Sequence, residues 1–552
     1  MIRKLWIGIS LLALSFLLFS CTKPEYVIEV DEQLEAHILD DQFRTYYEIF
    51  VGSFSDSNKD GLGDLKGMTN RLDYLNDGDP NSGKSLGIDG IWLMPIMESP
   101  SYHKYDVADY MSIDKDYGTL EDFENFVDEA DSRGINVIID LVLNHTSMYH
   151  TWFKQAKTAI NAGDLTNPYI EYYSLVKEDG KEPGKTYYPF AQDYFYEANF
   201  SQTMPELNMD SLLVKAEIID ILQFWFDLGV SGFRLDAIKY VYLNDTQKNL
   251  DFWSWFIEEC VKINPDAYIV GEVWSGDALI APYYANFSNF DFGMSQLEGA
   301  VASTANAADA VNNYVSYLNN YRNMIEDYSE NPNLTPFISN HDMNRSAGYL
   351  NVSDYRMHMA ANLYIWSYGT PFLYYGEEIG MKGSRGTEST DANRRLKMLW
   401  GDKDTVIDPV GSTYDIEKQT NGTVKDQIND PNSLFNHYKK VIMIRNANPE
   451  IARGTYTPLT FTGYFTFGGF LSTYQESTVG IFHNTGETAI TIDLSLYTDY
   501  TFTILRGFAG KGVASLSNQF LTIDGLTSVV IKYGTTIKIQ QTYCCLWEKM
   551  LK

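Results

Sequence analysis

The fold open to this chain is limited most by one recurrence: short apolar, β-branched runs that end on polar or charged groups, several of them followed by stretches of helical spacing. The runs span 46 to 51, 88 to 94, 135 to 139, 230 to 235, 268 to 270, 336 to 338 and 371 to 375, with a weaker one near 289 to 293. Helical spacing occupies 120 to 132, 212 to 228 and 252 to 263. A run without polar alternation reads as a strand buried on both faces, and strand–helix alternation reads as parallel strands with crossover helices. Eight such units close a barrel of about 250 residues. With 552 residues the chain has room for more. We expect an α/β fold: a (β/α)8 TIM barrel with a small domain inserted after strand 3 and an all-β sandwich at the C-terminus.

The segmentation follows from where the alternation starts, lapses and stops. Arg3 and Lys4, an apolar run from 5 to 19 and Ser20-Cys21 read as an export signal over 1–21; it resembles a lipoprotein signal, which implies Cys21 as the acylated residue, with simple cleavage and secretion or a retained anchor as alternatives. Residues 22–40 are a polar tether. Barrel residues fill 41–145 and 204–453, and a Tyr-rich, Gly/Pro-punctuated stretch, 146–203, forms the insertion. From 454 to 541, β-branched and aromatic runs alternate with turn residues, the pattern of a sandwich. Cys260 reads as a buried free thiol, and the adjacent Cys544 and Cys545 suit no ordinary disulfide.

Charge narrows the partners. Lys plus Arg number 42 against 73 Asp plus Glu, a net charge of −31, and such a surface repels phosphate backbones. Nucleic-acid partners are therefore not expected, a membrane is met only through the lipid anchor, and a monomer is expected. A neutral saccharide is compatible with this surface, and 40 Tyr and 10 Trp exceed the needs of a core, so some are free to stack on sugar rings.

Four segments carry the chemistry: Asp-Leu-Val-Leu-Asn-His at 140 to 145, Gly-Phe-Arg-Leu-Asp at 232 to 236, Gly-Glu-Val-Trp at 271 to 274 and Ser-Asn-His-Asp at 339 to 342. Each follows a buried strand run. Charges at the ends of separate buried strands are costly unless they meet in one site. Three carboxyl groups there, Asp236, Glu272 and Asp342, fit glycosidic bond chemistry, where one attacks and another donates and then recovers a proton. A zinc reading fails for want of a His-Glu-x-x-His or similar spacing.

In this order the four segments resemble those of the α-amylase family of glycoside hydrolases, family 13. The resemblance implies that Asp236 is the nucleophile, Glu272 the acid/base and Asp342 a stabiliser of the transition state. It places Arg234 beside Asp236, and implies that His145 and His341 donate hydrogen bonds to the sugar. His103-Lys104-Tyr105-Asp106 resembles the family segment whose Tyr, here Tyr105, stacks under the sugar. Asp391 and Arg395 match a pair that binds sugar hydroxyls on the glycone side, and Lys239 a contact to the leaving group. Met204-Pro-Glu-Leu-Asn208 differs from the Gln-Pro-Asp-Leu-Asn pattern of α-1,6-glucosidases, which favours α-1,4 cleavage. The function implied is an endo-acting, retaining hydrolase of starch, glycogen or maltooligosaccharides, with a neopullulanase-like or transglycosylating enzyme, or a non-catalytic glucan-binding lipoprotein, as alternatives.

Calcium is the expected cofactor. Asp56, Asn58, Asp60, Leu62 and Asp64 alternate around Gly61 in the way a chain wraps a hard cation, although an Asx-turn needs the same residues. The resemblance also implies a second site at Asn144, weakened because Tyr240 stands where the family has His.

Overall fold

The computed structural model describes residues 37–533, apart from 81 and 388. The segment expected to be an export signal, Cys21, most of the expected tether, Cys544, Cys545 and the expected end of the sandwich lie outside the described residues. The barrel strands are β1 (Tyr46–Ile49), β2 (Gly90–Leu93) and β3 (Asn136–Leu141). The insertion follows, with β4 (Leu175–Val176), β5 (Tyr187–Pro189) and β6 (Phe195–Glu197). The barrel resumes with β7 (Gly232–Leu235), β8 (Tyr268–Gly271), β9 (Ser288–Asn289) and β10 (Phe372–Tyr374). Seven of these form one parallel sheet in the order β10-β1-β2-β3-β7-β8-β9.

The run expected at 336 to 338 closes the barrel, but as a seam instead of a laddered strand. Single parallel bridges, Phe290 with Thr335 and Phe337 with Phe372, join it to its two neighbours. Pro336 is the local reason, because it has no N–H to give a ladder; its carbonyl accepts from Phe372 N at 3.0 Å.

Aromatic rings fill the barrel. Tyr46 stacks on Phe372 and Tyr268 with centroids 4.8 and 5.1 Å away, and Trp92 meets Phe290 at 5.5 Å. Gly90 makes room: a Cβ there would lie 2.6 Å from the Tyr46 ring. Outside the barrel, the helix at Leu120–Asp131 starts at a Thr119/Asp122 capping box and turns Phe123, Phe126, Val127 and Ala130 inward. The helix expected at 252 to 263 begins earlier, as Thr246–Ile263, because the Asp245 carboxylate caps Lys248 N and carries a polar first turn that hydrophobic spacing does not reveal.

The insertion packs the helix Thr151–Ala162 with the antiparallel sheet β4-β6-β5. The C-terminal region has β11 (Thr455–Leu459), β12 (Phe467–Tyr474), β13 (Ser477–Asn484), β14 (Ile490–Asp493), β15 (Phe502–Gly510), β16 (Ala514–Ser517), β17 (Phe520–Ile523) and β18 (Thr527–Tyr533). They make a five-stranded sheet, β11-β12-β13-β18-β15, and a three-stranded one, β14-β17-β16, around a core that includes Phe461, Phe467 and Phe482. Asn362 Nδ2, on a barrel helix, donates to Ala509 O at 2.8 Å and Ser528 Oγ at 3.1 Å, so the sandwich is pinned to the barrel by buried polar contacts.

Candidate active site

Strands β1, β3, β7 and β8 and the seam segment deliver Glu48, Asp140, Arg234, Asp236, Glu272, His341 and Asp342 to the same end. Arg234 and Asp236 are two residues apart, so both side chains leave the same face at the end of β7. The Arg234 guanidinium is buried and central. Its Nη1 donates to Asp236 Oδ1 at 2.7 Å and to Asp140 Oδ1 and Oδ2 at 2.8 and 3.0 Å, and its Nη2 lies 3.0 Å from Glu272 Oε2. The chain turns sharply past Asp236: Ala237 adopts a left-handed φ of 50°, a conformation costing a non-glycine residue about 1 to 2 kcal/mol, and its N–H donates to Glu272 Oε2 at 3.1 Å. One strained turn thus joins the ends of β7 and β8.

A second group of charges faces the first. His341 Nδ1 donates to Glu48 Oε1 at 2.5 Å, and its Nε2 meets Tyr105 Oη at 2.8 Å and Asp342 Oδ2 at 3.1 Å. Arg395 Nη2 donates to the other Asp342 oxygen at 2.7 Å. Burial alone would lower the His341 pKa, but Asp342 and Glu48 outweigh it and raise it to about 10. Burial likewise works to raise Asp342, and the His341 and Arg395 charges overcome it and hold Asp342 well below the usual carboxylate range. Tyr105 Oη donates to Asp140 at 3.0 Å. Burial pushes Asp140 up to about 7 against the pull of Arg234, yet its oxygens accept from two donor groups, which favours the carboxylate. Asp236 and Glu272 are both raised by burial, with Arg234 opposing the rise in each.

These groups open on a pocket of about 460 Å³ lined by Tyr102, Tyr105, Asp236, Glu272, Asp342 and Arg395. Asp391 also lines it, paired with Arg385 at 2.9 Å and Arg394 at 3.1 Å. His145 lines it as well, but burial lowers its pKa to about 4 and both ring nitrogens face protein: Nε2 the Tyr105 carbonyl at 3.2 Å, Nδ1 the Asn144 amide at 3.3 Å. Lys239 stands behind the rim, its Nζ donating to Trp274 O at 2.6 Å. Of the residues that the sequence reading places at the substrate, Tyr105, His145, Asp391 and Arg395 line this pocket and Lys239 stands at one edge, whereas Arg234 and His341 lie buried behind it, and Glu48, Tyr105 and Asp342 take both His341 ring nitrogens that were expected to face the sugar.

The loop after β1 lies elsewhere. Asp56 accepts from the N–H groups of Asn58, Lys59 and Gly61 and from Thr405 Oγ1, Asn58 from Asp60 N, and Asp60 from Leu62 N. Asp64 accepts from Ser57 and caps the short helix that follows. Among the described residues, no three His, Cys, Asp or Glu side chains are grouped to hold a metal ion. Asn144 Oδ1, by contrast, is buried with no hydrogen-bond partner.

A family model described as "Alpha amylase, catalytic domain" matches residues 48–454. This chain belongs to the α-amylase family. A relative from Dictyoglomus thermophilum, named Alpha-amylase 3, is 37% identical over 409 residues, covering 72% of this chain and 76% of the relative. An oligo-1,6-glucosidase of Heyndrickxia coagulans is 33% identical, covering 61% of this chain and 66% of its own. Among solved structures, Eubacterium rectale Amy13B superposes with a TM-score of 0.83 at 35% identity, over 93% of this chain and all of that one.

Several members of this α-amylase-family site escaped the sequence reading. Glu48, which fixes His341, comes from β1, 293 positions away. Asp140 stands first in its motif and was given no part. Tyr102, Phe200, Tyr240 and Trp274 also line the pocket. Phe200 and Trp274 are 45% and 42% exposed, unlike core rings; Trp274 stacks on Phe292 at 5.4 Å and Phe200 meets Tyr240 edge-on at 5.0 Å. Nothing in local spacing separates these aromatics from packing ones.

Proposed function

We propose that this chain is a retaining α-amylase that cuts internal α-1,4-glucosidic bonds of starch, glycogen or maltooligosaccharides. The observation that supports it most is that one buried guanidinium, Arg234, touches both Asp236 and Glu272 while Asp342 has cations of its own. Two carboxyl groups near one cation are not equivalent. Burial raises both pKa values and the Arg234 charge opposes the rise in both; a 2.7 Å hydrogen bond from Arg234 adds to that opposition at Asp236, which favours the anion there over that of Glu272.

On this reading Glu272 gives its proton to the glycosidic oxygen as Asp236 attacks the anomeric carbon; the bond to the leaving sugar breaks and a glycosyl ester forms. Glu272, now a carboxylate, takes a proton from water, which attacks the same carbon and releases Asp236, so configuration is retained. Asp342, kept anionic by His341 and Arg395, lies opposite as positive charge develops on the ring. Tyr105 offers its ring face to the sugar, and His145 and His341 hold Tyr105 and Asp342 in place. Met204 in the pocket wall, within a segment unlike that of α-1,6-glucosidases, favours the α-1,4 bond.

The product profile on soluble starch, maltooligosaccharides and pullulan tests the proposal. Mixed maltooligosaccharides from starch, with pullulan cut far more slowly, are expected. Panose from pullulan would move the assignment to a neopullulanase-like enzyme, products longer than the substrate to a transglycosylase, and binding without cleavage to a glucan-capturing protein.

We also propose that the loop after β1 takes up calcium through Asp56, Asn58, Asp60, the Leu62 carbonyl and Asp64, with Asn144 as donor to a second ion. The alternating oxygens support it; binding requires them to turn from the amides they now accept from. A structural ion at a hundredfold excess over its Kd stabilises by about 2.7 kcal/mol. Chelation with EDTA should therefore lower the Tm, and added calcium restore it. An unchanged Tm would mean that the hydrogen-bonded turn is complete without metal. Export and a lipid anchor on Cys21 belong to the same proposal, as does a monomeric state.

A further inference from the structure

Three of the eight histidines lie where the sandwich meets the barrel, and the reaction uses none of them. His358 is on the helix Arg356–Ile365, His437 on the helix Leu434–Asn446 and His483 on β13. All three are buried. Along β13, Val479, Ile481 and His483 share the face turned to the barrel helices, and Tyr314 of the helix Val311–Glu326 meets His483 edge-on at 6.2 Å.

A run of hydrogen bonds crosses this junction. His437 Nε2 lies 2.9 Å from both the His358 carbonyl and Asn362 Oδ1, so it carries a hydrogen and donates to both. The amide of the same Asn362 donates to Ser528 Oγ, which meets His483 Nδ1 at 2.8 Å. His483 Nε2 and both nitrogens of His358 are buried without a hydrogen-bond partner among the described residues. His358 is held by ring contacts instead, Tyr355 at 4.5 Å and His437 at 4.7 Å.

The charges around the junction are engaged elsewhere. Arg356 and Lys511 pair with Glu487, Lys532 with Glu450, Arg445 donates to the Ile365 and Ser367 carbonyls, and Arg506 donates to Asn448. Lys440, on the helix of His437, opposes a proton on that ring. Burial lowers His358 to about 4 and His483 to about 3, and carries His437 well below the ordinary histidine value. A charge on a buried ring with no acceptor is strongly disfavoured.

We propose that His358, His437 and His483 form an acid-released latch between barrel and sandwich, closed while the three rings are neutral and loosened when opening lets them take up protons. Rings freed from the junction regain the ordinary histidine pKa of about 6.5. The open form therefore binds more protons below that pH, so the latch holds at full strength above it and weakens as pH falls through it towards the folded values. Each histidine exposed favours opening by about tenfold per pH unit in that window. The latch is independent of which bond the active site cuts.

Hydrogen exchange of the full chain, followed by mass spectrometry at about pH 7.5 and about pH 5, tests it. Peptides from β13, β15 and β18 are referred to β3 in the same sample, which cancels the intrinsic pH dependence of exchange. On going to the lower pH the junction peptides should gain about tenfold or more over β3. His358→Phe keeps a ring against Tyr355 and strands no partner; His483→Leu leaves Ser528 its bond from Asn362. Each variant removes one proton from the uptake, so the acid gain should fall severalfold in both. Carboxylates that acid protonates are common to parent and variants and leave this comparison unchanged. Junction peptides that keep step with β3 at both pH values in the parent, or an acid gain equal in parent and variants, would overturn the latch. The parent series decides alone where a variant does not fold.

Discussion

Asp236→Asn is expected to abolish sugar release from soluble starch, by about four orders of magnitude or more, equivalent to roughly 5.5 kcal/mol of transition-state stabilisation. The size follows from the role proposed: without a carboxylate on the reacting face no glycosyl ester forms, and a carboxamide of the same shape cannot replace it. Asparagine keeps the volume and one oxygen facing Arg234, so the fold should survive. Far-UV circular dichroism and Tm of the variant separate lost chemistry from lost structure. A folded variant that retained more than a few per cent of activity would place the nucleophile elsewhere.

Glu272→Gln should cost about 10³-fold on starch, in the range of general acid–base catalysis. The loss should shrink on a 2-chloro-4-nitrophenyl α-maltotrioside, whose leaving group departs without a proton. The pH profile makes a second demand. Glu272 acts protonated and burial raises its pKa, so kcat/KM should fall as pH rises through that pKa, while protonation of Asp236 sets a separate acid limb. In the glutamine variant on the activated substrate this alkaline limb should vanish. Equal losses on both substrates, with the limb intact, would remove Glu272 from the acid role.

The site was legible where its geometry is local. Arg234 and Asp236 alternate on one strand, so their shared face can be read from spacing, and the carboxylates stand at the ends of apolar runs. Glu48 could not be assigned that way, because its link to His341 exists only once the barrel closes. The aromatic rim was hidden for another reason: Phe200 and Trp274 differ from core rings in exposure, which composition does not carry. The run at 336 to 338 was expected as an ordinary strand, whereas Pro336 reduces it to single bridges. The loop at 56 to 64 shows a limit of motif reading, since Asx-turns and calcium loops ask for the same residues at the same alternation.

The seam has a kinetic meaning. The backbone that carries His341 and Asp342 is joined to its neighbours in the barrel by two isolated bridges, while β2, β3 and β7 sit in continuous ladders. Segments with few shared backbone bonds open first, ahead of global unfolding. Amide hydrogens from 335 to 342 should therefore exchange faster than those of β3. An oligosaccharide that draws Asp342 and Arg395 onto itself should slow them, so that substrate acts as the missing strand pairing and the barrel is most tightly shut when it is at work.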